Sequence, residues 1–161
     1  MPLSTLQDIH PMEYKLFGRS GLRVSQIALG TANFGTAWGH GASAETSRAI
    51  LDAFAEGGGN FIDTADIYQF GQSEMILGEL LQGRREEFVL ATKFTNGAAP
   101  DASLLVTGNS RKAMVASLEA SLKRLKTDRI DLYWVHHPDG LTPAEEIVRG
   151  LDDLARAGKI L

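Results

Sequence analysis

Four residues that could transfer protons lie at the ends of three short apolar runs. Asp63 ends the first run and Tyr68 follows it by five residues, Lys93 ends the second, and His136 follows the third. The runs are Phe61 to Asp63, Phe88 to Lys93 and Ile130 to Val135. Parallel strands that are buried on both faces have continuous apolar sequences, so polar side chains at their ends are unusual and need partners. We expect the four side chains to form one site.

The chemistry that suits these four side chains is reduction of a carbonyl group. A tyrosine hydroxyl ionises only near pH ~10 and is a poor proton donor at neutral pH, but a nearby lysine ammonium stabilises its phenolate. Asp63 can be the counter-ion of Lys93, and a neutral His136 can donate to a carbonyl oxygen. Such a site suits a reaction in which negative charge develops on that oxygen while a proton is delivered. None of the four side chains carries hydride, so a cofactor must supply it.

Length and composition are those of one ordinary globular domain. The chain has 161 residues, 43% of them apolar, and a net charge of −4, which favours neither nucleic acid nor an anionic membrane as a partner. No apolar run approaches the roughly 20 residues that cross a bilayer, and the first residues lack the features of a signal peptide. We therefore expect no membrane insertion and a cytoplasmic location. Cysteine is absent and the acids and histidines show no metal-ligand spacing, so we expect neither disulfides nor a metal.

Alternating strands and helices are predicted from residue 12 onwards, after an amino-terminal extension of residues 1–11. A Gly-bounded turn at residues 18–21 joins the two strands of a hairpin. The strand of residues 26–29 and the three apolar runs follow, and each is succeeded by a helix. The predicted helices cover about residues 44–56, 72–82 and 110–126, and a fourth begins at Pro143 and stops at Gly158.

The helices also carry signals for their ends and buried faces. Ser43 is predicted to cap the first helix. Thr142 is predicted to cap the fourth in a capping box, with Pro143 at the first helical position. Apolar spacing predicts the core-facing residues of the first helix. They are Ala49, Ile50, Ala53 and Phe54.

Two architectures fit strict alternation of parallel strands and helices. A doubly wound open sheet would carry a Gly-x-Gly-x-x-Gly turn after a strand, and the sequence has no such turn. A (β/α)8 barrel collects its catalytic groups from the ends of several strands, as Asp63, Lys93 and His136 are distributed here. The predicted fold class is therefore α/β, a parallel TIM-barrel type. Residues 12–161 would form its first half: the hairpin, about four βα units and the start of strand five.

Several groups of residues, spread from about Met12 to the last residue, occur in an order and spacing typical of one known family. They are Gly18 to Ser25 with Leu29-Gly30-Thr31, Phe61 to Ala65 with Tyr68 and Gly71 to Glu74, Ala91-Thr92-Lys93, Ser110-Arg111-Lys112, Ser121 to Leu125, and Asp131-Leu132-Tyr133 through His136. On these motifs the sequence resembles the aldo-keto reductase family. Within the family it is most similar to the branch that includes the potassium-channel β-subunits.

The resemblance implies a role for each residue of the expected site. Tyr68 would be the general acid, and Lys93 and Asp63 would tune it. His136 would orient the substrate carbonyl. The residues implied in cofactor binding are Gly30, Thr31, Asn33 and Asp63. Because the family reduces aldehydes and ketones with NADPH, usually in preference to NADH, NADPH is the expected cofactor and a small aldehyde or ketone the expected substrate.

Length is the point at which the sequence departs from the family. A (β/α)8 barrel takes about 250 residues, and the family's second half supplies most of the contacts with the cofactor phosphates. We therefore expect a fragment or truncated product that binds NADPH weakly and needs its second half for activity. Half a barrel leaves open sheet edges and apolar faces. A carboxyl-terminal half-barrel on a separate chain, or self-association of two half-barrels, would cover them.

Other interpretations of the same residues stay open. Lys93 could be the nucleophile of a Schiff-base barrel enzyme. The chain could also be a non-catalytic regulatory or binding module of the same ancestry. His137 competes with His136 for the site, but neighbours on a strand point to opposite faces, so a packing or rim role is predicted for His137.

Two further features suggest contacts with a ligand. Trp38 and His40 lie in a long Gly-rich loop that could line a substrate pocket or could move without touching substrate. Arg111 and Lys112 lie in the first turn of a helix, where the helix dipole disfavours cations. They could face a ligand phosphate or carboxylate, or simply belong to a solvated face.

Overall fold

The computed structural model describes residues 12–161, so the predicted extension of residues 1–11 lies outside the described residues. Strands and helices alternate through this range. The strands are β1 (Tyr14–Leu16), β2 (Arg23–Ser25), β3 (Leu29–Gly30), β4 (Phe61–Asp63), β5 (Val89–Phe94) and β6 (Leu132–Val135). The helices are α1 (Ala44–Glu56), α2 (Gln72–Leu80), α3 (Arg111–Leu125) and α4 (Ala144–Arg156). Short 3-10 turns at Tyr68–Gly71 and Arg85–Glu87 precede and follow α2.

The sheet order confirms the predicted parallel α/β fold. β1 and β2 form the antiparallel hairpin, and the other strands form a parallel sheet in the order β3-β4-β5-β6. Each strand lies beside the next one in the chain, without the reversal of order that defines a doubly wound sheet. A parallel bridge between Ile130 and Ile160 begins the next pairing beside β6. This succession is that of one half of a parallel barrel.

The hydrophobic core lies between the parallel sheet and the helices. β5 is the most enclosed strand: all of its residues are buried except Lys93, which is half-buried. The buried side chains of α2 and α3 that pack on the sheet include Leu77, Leu80, Met114, Leu118 and Leu125. A central strand with apolar neighbours on both faces explains the continuous apolar run seen in the sequence.

The first helix buries a face different from the predicted one. Leu51 and Ser47 are fully buried, whereas Ile50 is 40% exposed and Ala49 and Ala53 lie on the exposed side. The packed stripe continues through the half-buried Phe54, with the spacing of one helix face. The prediction was right for Phe54 and wrong for Ala49, Ile50 and Ala53, because a serine occupies one of the core positions and hides the stripe from an apolar pattern.

Two element boundaries also differ from the prediction, and a side-chain hydrogen bond explains each. Pairing of β3 starts only at Leu29, since the Ser25 hydroxyl donates to the Ile27 carbonyl at 2.6 Å and bends the preceding segment. The capping box of α4 is absent. The Thr142 hydroxyl donates to Asp139 Oδ2 at 2.6 Å instead, and the helix starts after an extended Pro143.

The predicted cap of α1 is confirmed, because Ser43 Oγ accepts the Thr46 N–H.

The hairpin packs against the amino-terminal ends of the parallel strands. The Tyr14 hydroxyl donates to the Gly58 carbonyl at 2.6 Å, and the Asn60 side chain accepts the Ser25 N–H at 2.7 Å. Phe17 of the turn packs edge-on against Phe61 at the start of β4. The opposite, carboxyl-terminal end of the sheet is left for the polar side chains. Between residues 12 and 161 no helix combines the length and apolar character that a membrane span requires.

Candidate active site

Strand register places the expected site residues on one face at the carboxyl ends of the strands. Gly30 at the end of β3 pairs with Asp63 at the end of β4. Lys93 of β5 pairs with Trp134 of β6. Since side chains alternate along a strand, Trp134 and His136 share a face. Asp63, Lys93 and His136 accordingly line a common pocket of about 500 Å³.

The Lys93 ammonium is the centre of this cluster. It donates to Asp63 Oδ2 at 2.5 Å, to the Thr64 carbonyl at 2.9 Å and to the Tyr68 hydroxyl at 3.1 Å. The Lys93 side chain is 16% exposed and that of Asp63 29% exposed, so the ion pair is only partly screened by water. Three acceptors match the three N–H donors of an ammonium group. The arrangement therefore holds a charged lysine against a phenol.

The turn after β4 brings Tyr68 back over the strand ends. The Tyr68 N–H donates to the Ala65 carbonyl at 3.2 Å, and the Asp66 N–H donates to the Lys93 carbonyl at 3.1 Å. The first bond closes the turn, and the second ties it to β5. The Tyr68 ring lies edge-on to the imidazole of His136, with ring centroids 5.9 Å apart. The structure thus brings together all four residues that the sequence singled out.

His136 is surrounded so that its neutral form is favoured. Burial lowers the pKa of the imidazole below its ordinary value, and the charges of Lys93 and His137 lower it further. The side-chain nitrogen of Asn96 faces His136 Nδ1 at 3.5 Å. An amide N–H can only donate, so this contact fits an imidazole that carries its proton on Nε2.

His137 occupies the rim, as its position on the strand predicts. Its side chain is exposed, and its Nε2 lies 2.7 Å from Asn96 Oδ1. Asn96 therefore touches both histidines, and it is a site residue that the sequence did not suggest. The preceding Thr95 has φ of 123°, a conformation that is strained for a β-branched residue. Its hydroxyl bond to Asn109 Oδ1 at 2.6 Å holds it there.

The residues expected to bind a cofactor have different surroundings. Gly30 lines the pocket, and a Cβ built on it would project into open space. Asn33 is exposed on the following loop. Thr31 is fully buried, and its hydroxyl donates to the Asp63 carbonyl and accepts from Ser73. Thr31 thus stabilises the turn that follows β3, and its side chain is not available to a ligand in the pocket.

A network of buried polar groups lies beneath the turn. Glu74 is fully buried, accepts the Thr92 hydroxyl at 2.6 Å and pairs with Arg124 at 2.7 Å. Asp66 is also fully buried and accepts the Ser117 hydroxyl at 2.9 Å. These groups link the turn after β4 to β5 and α3, which explains how the turn keeps its place.

Two other suggestions from the sequence can now be located. The Trp38 ring lies edge-on to Tyr68 with centroids 6.3 Å apart, and His40 packs against Trp38. Arg111 at the start of α3 pairs with Asp153 of α4, and its backbone N–H donates to Glu146. The carboxylates that neutralise this helix start therefore come from the chain itself. No group of acidic or histidine side chains in residues 12–161 is arranged to hold a metal ion.

Successive parallel βα units, with a lysine that bridges an aspartate and a tyrosine at the strand ends, define half of a parallel α/β barrel that carries a polar site at the carboxyl ends of its strands. The chain belongs to the Aldo/keto reductase family, whose profile matches residues 26–161.

Individual relatives agree with this assignment. The chain is 44% identical over 151 residues to the norsolorinic acid reductase stcV of Emericella nidulans, covering 88% of this chain and 39% of that protein. It is 40% identical to a probable voltage-gated potassium channel subunit beta of Oryza sativa subsp. japonica, covering 88% and 42%. The solved holo form of aldo-keto reductase AKR11C1 from Bacillus halodurans superposes with a TM-score of 0.81 at 33% identity, covering 92% and 48%. The chain therefore spans less than half the length of each of these relatives.

Proposed function

We propose that the protein reduces a small aldehyde or ketone to the alcohol with NADPH, with NADH as the less favoured cofactor. The observation that carries the proposal is the contact of one ammonium group, Lys93 Nζ, with both Asp63 and the Tyr68 hydroxyl. A phenol beside a cation can give up its proton because the phenolate that remains is stabilised.

The pocket fits the nicotinamide end of such a cofactor. Gly30 leaves open space where a side chain would project, and Asp63, Lys93 and His136 line the same pocket. Asn33 lies two residues beyond Thr31 and is exposed, so its side chain would be available to the ribose of a bound cofactor, whereas Thr31 supports the turn from below. When bound, the nicotinamide supplies the hydride.

Tyr68 delivers the proton in the proposed reaction. As the carbonyl oxygen gains negative charge, the Tyr68 hydroxyl gives that oxygen its proton and becomes a phenolate. The Lys93 ammonium, 3.1 Å away, stabilises the phenolate until water returns a proton. Asp63 pairs with the lysine and holds it in place, so the ion pair is present both before and after the proton transfer.

His136 holds the substrate oxygen in the proposed mechanism. Because burial lowers its pKa, the imidazole is neutral at neutral pH and does not itself compete as an acid. Asn96 facing Nδ1 leaves Nε2–H as the donor. A neutral donor fixed beside the phenol orients the carbonyl and stabilises its developing charge.

The Schiff-base alternative fits this geometry less well. A lysine attacks a carbonyl only as a free amine. Here the Lys93 nitrogen already donates to three acceptors, one of them a carboxylate at 2.5 Å, which is the arrangement of an ammonium group and not of a free amine. A non-catalytic binding module, the third interpretation, does not require the contact of Lys93 with the Tyr68 hydroxyl, and the experiment below separates it from an enzyme.

We further propose that residues 12–161 act as the amino-terminal half of a barrel. Among the residues of 12–161 that line the pocket, Lys93 is the one lysine or arginine, and it is already paired. Contacts with the cofactor phosphates must then come from elsewhere, and the solved relative is about twice as long. Binding of NADPH tighter than a weak association, and turnover, accordingly need the second half-barrel.

The test uses a chimera in which residues 12–161 replace the matching half of the Bacillus halodurans enzyme. We expect Tyr68→Phe to lower kcat for NADPH-dependent aldehyde reduction by about 10²–10⁴-fold, the usual contribution of a general acid. NADPH affinity, followed by fluorescence, should stay the same. Tyr14→Phe is the matched control, since it removes a hydroxyl bond in the remote hairpin. A Tyr68→Phe chimera that reduces aldehydes at the parent rate would refute the proposal.

A further inference from the structure

The segment directly after Tyr68 has a backbone that its residues do not favour. Gln69 and Phe70 have φ of 51° and 52°, with ψ of 35° and 46°. Side chains other than those of glycine, asparagine and aspartate seldom occur in this left-handed region. Strain of this kind persists only where the surroundings determine the conformation, and it concentrates at functional sites.

The strained backbone directs the Gln69 side chain toward another loop. This side chain is fully buried and reaches across to the loop between β3 and α1. Its Oε1 accepts the Trp38 N–H at 2.8 Å, and its Nε2 donates to the Ala32 carbonyl at 3.2 Å. One amide thus satisfies two backbone groups that are six residues apart in the loop.

A second glutamine fixes the stretch between those two points. Gln72 Oε1 accepts the N–H groups of Thr36 and Ala37 at 2.7 and 3.0 Å. The loop also closes on itself, since Ala42 N donates to the Asn33 carbonyl at 2.7 Å. A Cβ on Gly41 would lie 2.0 Å from the Gly35 carbonyl oxygen, so the two sides of the loop approach each other as closely as glycine permits.

The fixed loop presents Trp38 to the site. The indole lies edge-on to Tyr68 at 6.3 Å and to Phe70 at 6.2 Å, while Tyr68 in turn meets His136. An aromatic wall binds a flat ring better than a flexible chain. The position of the Trp38 indole therefore influences which carbonyl compounds the pocket accepts.

We infer that Gln69 is a positioning residue that holds Trp38 beside Tyr68, and that the resulting aromatic wall favours aromatic over aliphatic carbonyl substrates. The positional part stands on the hydrogen bonds alone, and the substrate part rests on the proposed function.

The positional part is tested in the 161-residue chain, without cofactor or substrate. The chain has two tryptophans, so Trp134→Phe leaves Trp38 as the only tryptophan, whose fluorescence can be excited selectively. In this background Gln69→Asn keeps an amide and tolerates the left-handed backbone but is too short to reach both partners. Gln69→Gly suits the backbone and has no side chain. Gln82→Asn is the control, because Gln82 bonds only within its own helix turn, to the Gly78 carbonyl.

We expect the acrylamide quenching constant of Trp38 to rise about twofold or more in both Gln69 variants, as a released loop exposes the indole. The Gln82 control should not change. Both Gln69 variants suit the observed φ, so each can keep the native fold, as circular dichroism would show. Quenching that matches the parent in both variants would overturn the inference and leave the role of Tyr68 untouched.

The substrate part is tested in the chimera. Gln69→Asn should raise KM for benzaldehyde several-fold, with little change in kcat and little change in KM for butanal. An equal rise for both aldehydes, or a loss confined to kcat, would refute the role in selection. Neither outcome would bear on whether Tyr68 is the acid.

Discussion

Asp63 and Asp66 are three residues apart and have opposite surroundings. Asp63 is partly exposed and pairs with Lys93. Asp66 is fully buried, and its Oδ2 accepts the Gly97 N–H and the Ser117 hydroxyl. Its Oδ1 has no hydrogen-bond partner among the described residues. Burial raises the pKa of Asp66 to about 6, and the nearby Glu74 charge adds to the rise.

This raised pKa predicts a pH-dependent stability. The folded chain binds the Asp66 proton more tightly than the unfolded chain, so the stabilisation is complete below about pH 4 and is lost as pH rises through about 6. A shift of about two units corresponds to roughly 3 kcal/mol. The Asp66→Asn variant stays neutral at every pH. We therefore expect the difference in free energy of unfolding between this variant and the wild type to grow by about that much, in favour of the variant, as the pH rises from about 4 to about 7. Urea unfolding at both pH values measures it.

The exposed Asp101 provides the control for that measurement. Asp101→Asn should keep a constant difference from the wild type across the same pH range. If Asp66→Asn also kept a constant difference, the Asp66 carboxyl would not be buried as the structure shows.

At the scale of elements, α2 and α3 hold the turn that carries Tyr68. The ion pair of Glu74 with Arg124 joins the two helices at 2.7 Å. Close approach of their backbones is possible because α2 has glycine at position 78. A Cβ there would lie 2.2 Å from the Arg124 carbonyl oxygen, and backbone atoms of a packed helix cannot move aside cheaply.

Alanine at position 78 should therefore separate the helices. We expect Gly78→Ala to lower the free energy of unfolding by about 2–3 kcal/mol, as overpacking does, despite the roughly 1 kcal/mol that alanine adds to helix propensity. Gly150→Ala in α4 is the matched control, because the close contact of its Cβ would be with the flexible end of Met114, whose Sδ lies at 2.9 Å. Chemical denaturation should show a change for Gly150→Ala within about 1 kcal/mol. Equal effects of the two substitutions would contradict the close helix contact.

At the scale of the whole molecule, β6 and α4 leave an apolar face uncovered. A pocket of about 430 Å³ beside them is lined by Leu132, Trp134, Val148 and Leu151, among others. Val148 is 64% exposed and Trp134 40% exposed. Exposed apolar surface next to an open sheet edge favours association.

The 161-residue chain on its own should therefore self-associate. We expect sedimentation velocity to show species above the mass of one chain, in amounts that grow with protein concentration. Val148→Lys should shift the population toward the monomer, because it places a charge on the uncovered face. Ile50→Lys, on the outer side of α1 and 40% exposed in the wild type, should have no such effect. A chain that stays monomeric at every concentration would contradict this expectation.

Much of the molecule was determined by the sequence itself. The alternation of strands and helices, their approximate limits and the shared location of Asp63, Lys93 and His136 follow from local patterns. The reason is physical: successive parallel strands end at the same edge of a sheet, and side chains alternate along each strand. Tyr68 was predicted to lie in the same site because the turn that carries it begins at Asp63.

Only the tertiary structure decided which other residues complete the site. Asn96 reaches the histidines because Thr95 is held in a strained conformation by Asn109, and Gln69 reaches Trp38 across 31 residues of chain. The buried face of α1 likewise depended on a buried serine, and the start of α4 depended on Asp139, whose Oδ2 also accepts the N–H of the distant Asn109. Contacts of this kind join polar groups that are distant in sequence. Local periodicity records burial of apolar side chains, so it contains no trace of the partner that a polar group finds only when the chain is folded.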